Sequence, residues 1–460
     1  MELGDFVEVA LLGFCVLSSL IVVLAMIWRW RGRRPAHLAP SPIAYAFSFW
    51  LIAMVILGGY FLSIRIPGLF DVTLDRVGFF LTVAIALVMI FRRQVLPPTD
   101  YLIDLLLLLY LALCVISMGI HGFGNDIPGR SKPWYQFLAG YFFPAIAFWV
   151  SKYTLTPERD YPLVFKAIFW LGVYVCFIAF LENYHMRGLA LPRYIGDRTI
   201  LTHLDRARGP FLNAAFNGLF LCVAFIAGIA QFSLKPSGSA VVAWGSFFLF
   251  APAIYFTHTR SVLLIFIFIM AGYLFCYRTT LPKWKLIIIP FTLCVLMLAA
   301  NMEKLSSGDR SAGGLGQASE IQIRMQLVEK SKSLFIEHPF FGAGFGQFRK
   351  TSYFSEEKEL QHNQIIGIMA EMGLVGLPVY LSMVYLVLSR FFKIVKNSKK
   401  EGALNTNFIL SLGLIIFTNF FSNCFVDPSV HIFAQVNLFM VIGMVDRLYC
   451  RDVIGRRDFG

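Results

Sequence analysis

Residues 362–389 read HNQIIGIMAEMGLVGLPVYLSMVYLVLS. The run is long and apolar enough to cross a bilayer as a helix, which takes about 17–25 residues. His362 stands at its mouth, and Glu371 lies nine residues further in. At about 100° per residue, Glu371 falls on the opposite face from His362 and about 13 Å deeper. The two make no simple pair, so Glu371 is expected to be a helix-packing contact, because an acid inside a span needs a partner. Runs of the same kind extend outward in both directions, near 5–28, 42–63, 77–91, 101–119, 134–151, 162–181, 211–234, 240–256, 261–276, 284–300, 408–426 and 429–446. The expectation is an all-α, polytopic integral membrane protein of about 12–13 transmembrane helices, with residues 1–460 forming one membrane domain.

Composition agrees. Of 460 residues, 58% are apolar and 15% charged, against about 25% charged in ordinary soluble domains. A soluble fold of this composition exposes too much apolar surface; lipid is the natural solvent for it. The formal net charge is +13, which in a soluble chain suggests nucleic acid. Here the basic residues sit in short loops between apolar runs, which is the positive-inside pattern, so no nucleic-acid partner is expected. The eight cysteines form no CxxC pair, so neither a zinc site nor a disulfide framework is indicated. The stretch Glu2 to Glu8 precedes the first run, and Arg29, Arg31, Arg33 and Arg34 follow it. A signal peptide has the reverse order, so the first helix is expected to start outside.

The loops alternate in character. Arg29 to Arg34, Arg92–Arg93, Lys152 to Arg159, Lys235, Arg278 to Lys285, Arg390 to Lys400 and Arg451 to Arg457 form a basic, mostly short set, expected in the cytoplasm. The N-terminus, 64–76, 120–133, 182–210, 257–260, 301–361 and 427–428 form the other set, expected on the far side, the periplasm of a Gram-negative bacterial inner membrane. Residues 301–361 make a long periplasmic loop, a length that is usually functional or disordered. Within it, Ile321 to Phe335 alternates apolar and basic residues at helical spacing, which predicts an amphipathic helix at the membrane surface. No internal repeat is evident.

Cationic residues gather in the far-side loops. Arg206 and Arg208 precede the run at Phe211. Arg260 lies in the tight connection Thr257-His258-Thr259-Arg260-Ser261. Arg324, His338 and Arg349 lie in the long loop, and His362 and Asn363 open the next span. Any one of these arginines is explained by snorkelling to a headgroup. Together they bring guanidinium forks from separate loops to one membrane face, an arrangement suited to a lipid-linked pyrophosphate. His362 is either a polar helix end or a base that orients an acceptor hydroxyl.

Four strings then resemble the O-antigen ligase and polymerase superfamily. They are Ile323-Arg324-Met325 followed by Ile336-Glu337-His338-Pro339-Phe340-Phe341-Gly342-Ala343-Gly344-Phe345-Gly346; Gln361-His362-Asn363-Gln364; Glu371-Met372-Gly373-Leu374-Val375-Gly376; and, more faintly, Arg208-Gly209-Pro210-Phe211-Leu212-Asn213-Ala214-Ala215-Phe216-Asn217 with Thr259-Arg260-Ser261. Many members carry a second histidine just before the His-Asn pair; Gln361 stands there in this chain. The resemblance implies a membrane glycosyltransferase whose donor is a glycan on undecaprenyl pyrophosphate. The acceptor is lipid A-core in the ligases and another lipid-linked glycan in the polymerases.

Residues and resemblance together suggest a mechanism. Arg208 and Arg260, with Arg324, hold the pyrophosphate as the anomeric bond breaks, and His362 serves the acceptor hydroxyl. Arg206, His338, Arg349 and Asn363 complete the substrate-binding set. A single displacement inverts the anomeric centre. No carboxylate cluster with metal-ligand spacing stands in these loops, so no metal and no cofactor are expected. The glycine-rich Gly342 to Gly346 lacks the Lys-Ser/Thr of a nucleotide loop and is expected to be a tight turn. A polymerase stays open beside the ligase. A transporter is the other class, disfavoured because no internal repeat is apparent and the ionisable residues cluster at one interface instead of mid-membrane.

Overall fold

A computed structural model describes residues 39–58, 61, 63–64, 72–92, 100–123, 132–200, 203–233, 245–277, 292, 318–348, 363–401, 406–425 and 432–454. It is an all-α membrane bundle. The described helices are α1 (Pro42–Ile56), α2 (Leu74–Phe91), α3 (Leu102–His121), α4 (Pro133–Phe137), α5 (Phe143–Tyr153), α6 (Pro157–Asn183), α7 (Ala214–Ser233), α8 (Phe247–Tyr255), α9 (Arg260–Tyr277), α10 (Ala318–Glu337), α11 (Gln364–Glu401), α12 (Thr406–Asn423) and α13 (Ile432–Tyr449). A π turn, Leu138–Phe142, joins α4 to α5. Two-residue strands, Ser63–Ile64 and Val72–Thr73, pair antiparallel before α2.

Among the described residues, seven helices are long and apolar enough to span a membrane: α2, α3, α6, α7, α11, α12 and α13. The apolar helices of α1 and α9 are shorter. The run expected at 134–151 is split by the π turn, and that at 240–256 is only the short α8. The runs at 5–28 and, apart from residue 292, at 284–300 lie outside the described residues.

Burial sorts the helices. On α2 and α3, Phe80, Leu81, Leu87, Val88, Leu105, Leu108, Ile116 and Ile120 are exposed. Rows of bare apolar side chains of this kind are stable only against lipid. By contrast α7 and α13 are buried nearly all round and form the centre. Small residues allow close approach there, as is usual between membrane helices. A Cβ on Gly443 of α13 would lie 2.4 Å from the Phe148 carbonyl of α5, and one on Gly172 of α6 would lie 2.3 Å from Ala224 Cβ of α7.

Contacts between helix ends define two faces. On one, Lys152 Nζ pairs with Asp104 and, at 2.8 Å, with Asp446. Arg390 pairs with Asp446 and, at 2.8 Å, with Asp100. Tyr153 Oη donates to Asp104 at 2.6 Å. This buried network ties α3, α5, α11 and α13 together. From sequence, Lys152 and Arg390 belong to the basic loop set; the structure places both inside the bundle end against carboxylates. On the same face, the Ser41 amide donates to Asp160 Oδ1 at 2.8 Å, joining the starts of α1 and α6. The opposite face carries the long loops and the candidate site.

Candidate active site on the long-loop face

The segment after α6 is folded around buried polar atoms. Arg208 has 0% exposure. Its guanidinium donates to the carbonyls of Ile200, Ile195 (3.2 Å) and Asp197 (2.6 Å), and its Nε lies 3.9 Å from Glu182 Oε1 at the end of α6. Glu182 Oε2 in turn accepts the Gly209 amide at 2.8 Å. Gly209, at φ +55, passes so close to α7 that a Cβ would sit 2.1 Å from Asn217 Oδ1. Asn213 Oδ1 accepts the amides of Ala215 (3.0 Å) and Phe216 (3.3 Å), capping α7. From sequence, Arg208 is expected on a substrate phosphate. The structure corrects that placement: its donors are turned inward to loop carbonyls, so it organises the loop. Asn217 closes the string from Arg208 that carries the fainter family resemblance, whereas Glu182 has no signal in the sequence beyond lying at the end of an apolar run.

Arg206 is held within this loop, 9% of its side chain exposed, against the His203 ring and 3.6 Å from Asp205. Between the two arginines, the Ala207 amide donates to the Phe256 carbonyl at 2.9 Å. That bond lays the Arg206–Arg208 strand beside the turn Phe256–Thr259. His258 is buried in the turn, while Arg260 is exposed as the first residue of α9. The Leu263 amide donates to Thr259 O, marking Thr259 as the cap. The next amides of α9 have no partner within the helix and carry its positive dipole end, which suits an anion.

A second assembly surrounds α11. The sequence-predicted amphipathic helix is α10, with Leu327 and Leu334 buried against Phe348 and Ala370, and Arg324, Met325, Val328 and Ile336 exposed. His338 is exposed beyond its end. The chain then inserts Pro339 to Gly344 into a break in α11. Gly373 has φ +58 and ψ −154, which interrupts the helix and frees groups on both sides. The Leu374 and Val375 amides donate to the Pro339 and Phe340 carbonyls (2.9 and 3.0 Å). The Ala370 and Glu371 carbonyls accept from Ala343 and Gly344 (2.9 and 3.1 Å). Glu371 Oε1 accepts the Phe348 amide at 3.3 Å. Glu371 is thus a structural contact, and the glycine-rich stretch is a tight turn, both as expected from sequence. The turn also docks on the end of α3: Phe345 N donates to Ser117 Oγ at 2.9 Å, and Gln347 Nε2 to Gly122 O at 2.9 Å. Gly344 lies against the His121 ring, where a Cβ would meet Cγ at 2.5 Å. His121 is a site neighbour that sequence reasoning missed; its only mark is its place at the end of an apolar run.

Asn363 corrects a second expectation. Its Oδ1 accepts the amides of Ile365 (3.0 Å) and Ile366 (3.1 Å), and its Nδ2 donates to Cys424 O at 3.3 Å. It caps α11 and ties it to α12, so its side chain is committed to structure rather than to a ligand. Arg349 and His362 lie outside the described residues. The two assemblies are connected through α12, which packs against α7, α9 and α11. Among the described residues, no group of three His, Cys, Asp or Glu side chains is placed to hold a metal ion.

Comparison with known proteins bears out the family resemblance. Residues 245–381 match the model of the O-antigen ligase family. The matched segment holds Arg260, α10, the inserted turn and the α11 break; the Arg206–Arg208 loop lies outside it. No curated protein matches the chain. The match supports a multi-pass membrane protein of the glycan-transferring, ligase or polymerase type, working on lipid-linked glycans.

Proposed function

We propose that this chain is a glycosyltransferase of the bacterial inner membrane that moves a glycan from undecaprenyl pyrophosphate onto lipid A-core at the periplasmic face. The observation that carries the reading is the Ala207–Phe256 hydrogen bond of 2.9 Å. It sets the Arg206 strand beside the turn that ends in exposed Arg260 at the amide end of α9. An exposed cation at a helix N-terminus, with a second arginine carried on the adjoining segment, is an electrostatic cradle for a diphosphate.

In the reaction, the acceptor hydroxyl attacks the anomeric carbon and the bond to the pyrophosphate oxygen breaks. The leaving undecaprenyl pyrophosphate keeps the electron pair, and His362 takes the proton of the hydroxyl. Arg260, with Arg206, stabilises the charge that grows on the leaving oxygen. Arg208 is a positioning residue that holds the loop carrying Arg206. Arg324 and His338, both exposed, meet the glycan or acceptor, with Arg349 beyond them in the same loop. The displacement inverts the anomeric configuration and needs no metal.

The test is reconstitution of the full-length protein with undecaprenyl-pyrophosphate glycan and lipid A-core. Arg260→Ala should lower the transfer rate by about 10²–10³-fold, the scale of losing one preorganised donor, and His362→Ala should abolish it. EDTA should leave the rate unchanged. Longer lipid-linked glycan with nothing on core replaces the ligase reading with the polymerase one. Absence of any new glycosidic bond overturns both.

A further inference from the structure

The loop that carries Arg206 and Arg208 continues through Pro210 and Phe211, which wall a cavity of about 200 Å³. The cavity opens among the long-loop ends of α1, α2, α7, α12 and α13. Asn437 of α13 lines it at 1% exposure. Neither Oδ1 nor Nδ2 of that amide has a hydrogen-bond partner among the described residues. Oδ1 of Asp75, on the α2 wall, is likewise without one. Native proteins bury such groups chiefly where a water or ligand completes them. One wall is aromatic: Phe220 packs against Phe211 and Phe433 at 5.4 and 5.0 Å, centroid to centroid.

We propose that this cavity is a subsite for one uncharged, hydroxylated ring, a single sugar residue of the transferred or accepting glycan. That choice of ligand rests on the glycan-transfer reading above. The chemistry of the walls excludes the other parts of a lipid-linked glycan. A prenyl chain leaves the Asn437 amide unsatisfied, and the Asp75 carboxylate stands beside the Arg76 guanidinium in the same lining, so the charge there is balanced and a pyrophosphate finds no net cation. A pyranose offers hydroxyls to the amide and carboxylate, and a less polar face to the phenyl rings, the usual division of labour in a ligand pocket. The size agrees: at ~30 Å³ per water the space equals about seven waters, below the ~300 Å³ at which drug-sized sites begin. Occupancy places the glycan directly beneath the loop that holds Arg206.

The experiment uses full-length protein in detergent and the methyl glycosides of glucose, galactose, mannose and N-acetylglucosamine, with glycerol as the control polyol. Melting is followed by tryptophan fluorescence. At least one glycoside should raise the melting temperature of the wild type beyond glycerol, with a dissociation constant at least tenfold weaker in Asn437→Leu. Leucine removes the amide at similar volume. No shift beyond glycerol, or an equal shift in the variant, overturns the subsite and leaves the amide to water. If the leucine variant does not fold, a photoreactive methyl glycoside on the wild type decides: labelling within 210–223 or 432–437 supports the subsite, and labelling elsewhere or none refutes it. Neither measurement involves transfer. Glycoside binding without any new glycosidic bond in reconstitution refutes only the transferase, whereas transfer without such binding refutes only the subsite.

Discussion

Substituting Gly373 by alanine tests whether the inserted turn and the α11 break are one structural unit. The backbone there, φ +58 and ψ −154, is a conformation essentially reserved for glycine. Alanine in it costs about 1–3 kcal/mol. Its Cβ would also lie 2.6 Å from the Phe340 carbonyl oxygen and 2.7 Å from the Gly342 amide nitrogen. Both are backbone atoms, so relief requires the turn to withdraw. The nearest bonds to go are Leu374 N to Pro339 O and Val375 N to Phe340 O, each worth about 1 kcal/mol net. The sum is about 3–5 kcal/mol, a large part of the ~5–15 kcal/mol that holds a typical protein folded. The loss is local, so hydrogen exchange with mass spectrometry is the assay. Peptides covering 338–348 and 364–378 should exchange about 10²–10⁴-fold faster, since every 1.4 kcal/mol is tenfold. Gly119→Ala in α3 is the control: nothing lies within 4 Å of its Cβ, and alanine gains up to ~1 kcal/mol in a helix. Exchange within about threefold of wild type in both peptides, on the same scale of tenfold per 1.4 kcal/mol, refutes the coupling.

Lys152→Met removes the cation between Asp104 and Asp446 and should destabilise the detergent-solubilised protein by about 3–5 kcal/mol; adding Asp104→Leu should recover part of that loss, and strict additivity in the double-mutant cycle argues against the pairing. Arg208→Ala should cost at least ~3 kcal/mol, because it strands Glu182 and three carbonyls, and should open residues 184–213 to proteolysis. Arg260→Ala should leave the melting temperature nearly unchanged, as an exposed position does, within ~0.5 kcal/mol; equal melting of the Arg208 and Arg260 variants denies the structural role given to Arg208. Asn363→Ala should cost about 1 kcal/mol as a lost helix cap, with Asn363→Asp keeping most of it; a neutral alanine variant refutes the cap. The amide and hydroxyl of Thr199 donate to Asp197 and hold its carboxyl below its ordinary value. A depressed folded value means the contribution is present above the ordinary ~3.9 and is lost as pH falls through the lower folded one. Protection of the Thr199 amide should follow that course, and a flat profile between pH ~5 and ~2 refutes it.

What was legible in the sequence follows from one-dimensional physics. Long apolar runs must be helices in lipid, because no other local structure satisfies the backbone without water. The helical spacing from Ile321 to Phe335 announced α10. Glu371 was legible as a structural group because an acid inside a span needs a partner, though the Phe348 amide that accompanies it was not. The candidate arginines were legible as a class, being fixed charges in loops of one set.

The direction in which each side chain turns was decided by tertiary structure alone. Arg206 and Arg208 are two residues apart in the same loop and identical in type. One sits against His203 and Asp205; the other is sealed against three carbonyls and Glu182, because Gly209 lets the chain pass against Asn217 and turns the neighbouring side chain inward. Asn363 likewise reads as a polar residue beside a candidate base, and only the approach of α12 shows that its amide is committed to Cys424 and the helix cap. The buried ions of the opposite face, Asp104, Lys152, Arg390 and Asp446, are separated by up to hundreds of residues along the chain. Hydropathy along the sequence places such charges at the ends of spans. Which of them meet depends on how the helices pack, and packing is set by close contacts such as that of Gly443 with Phe148, which no local pattern encodes.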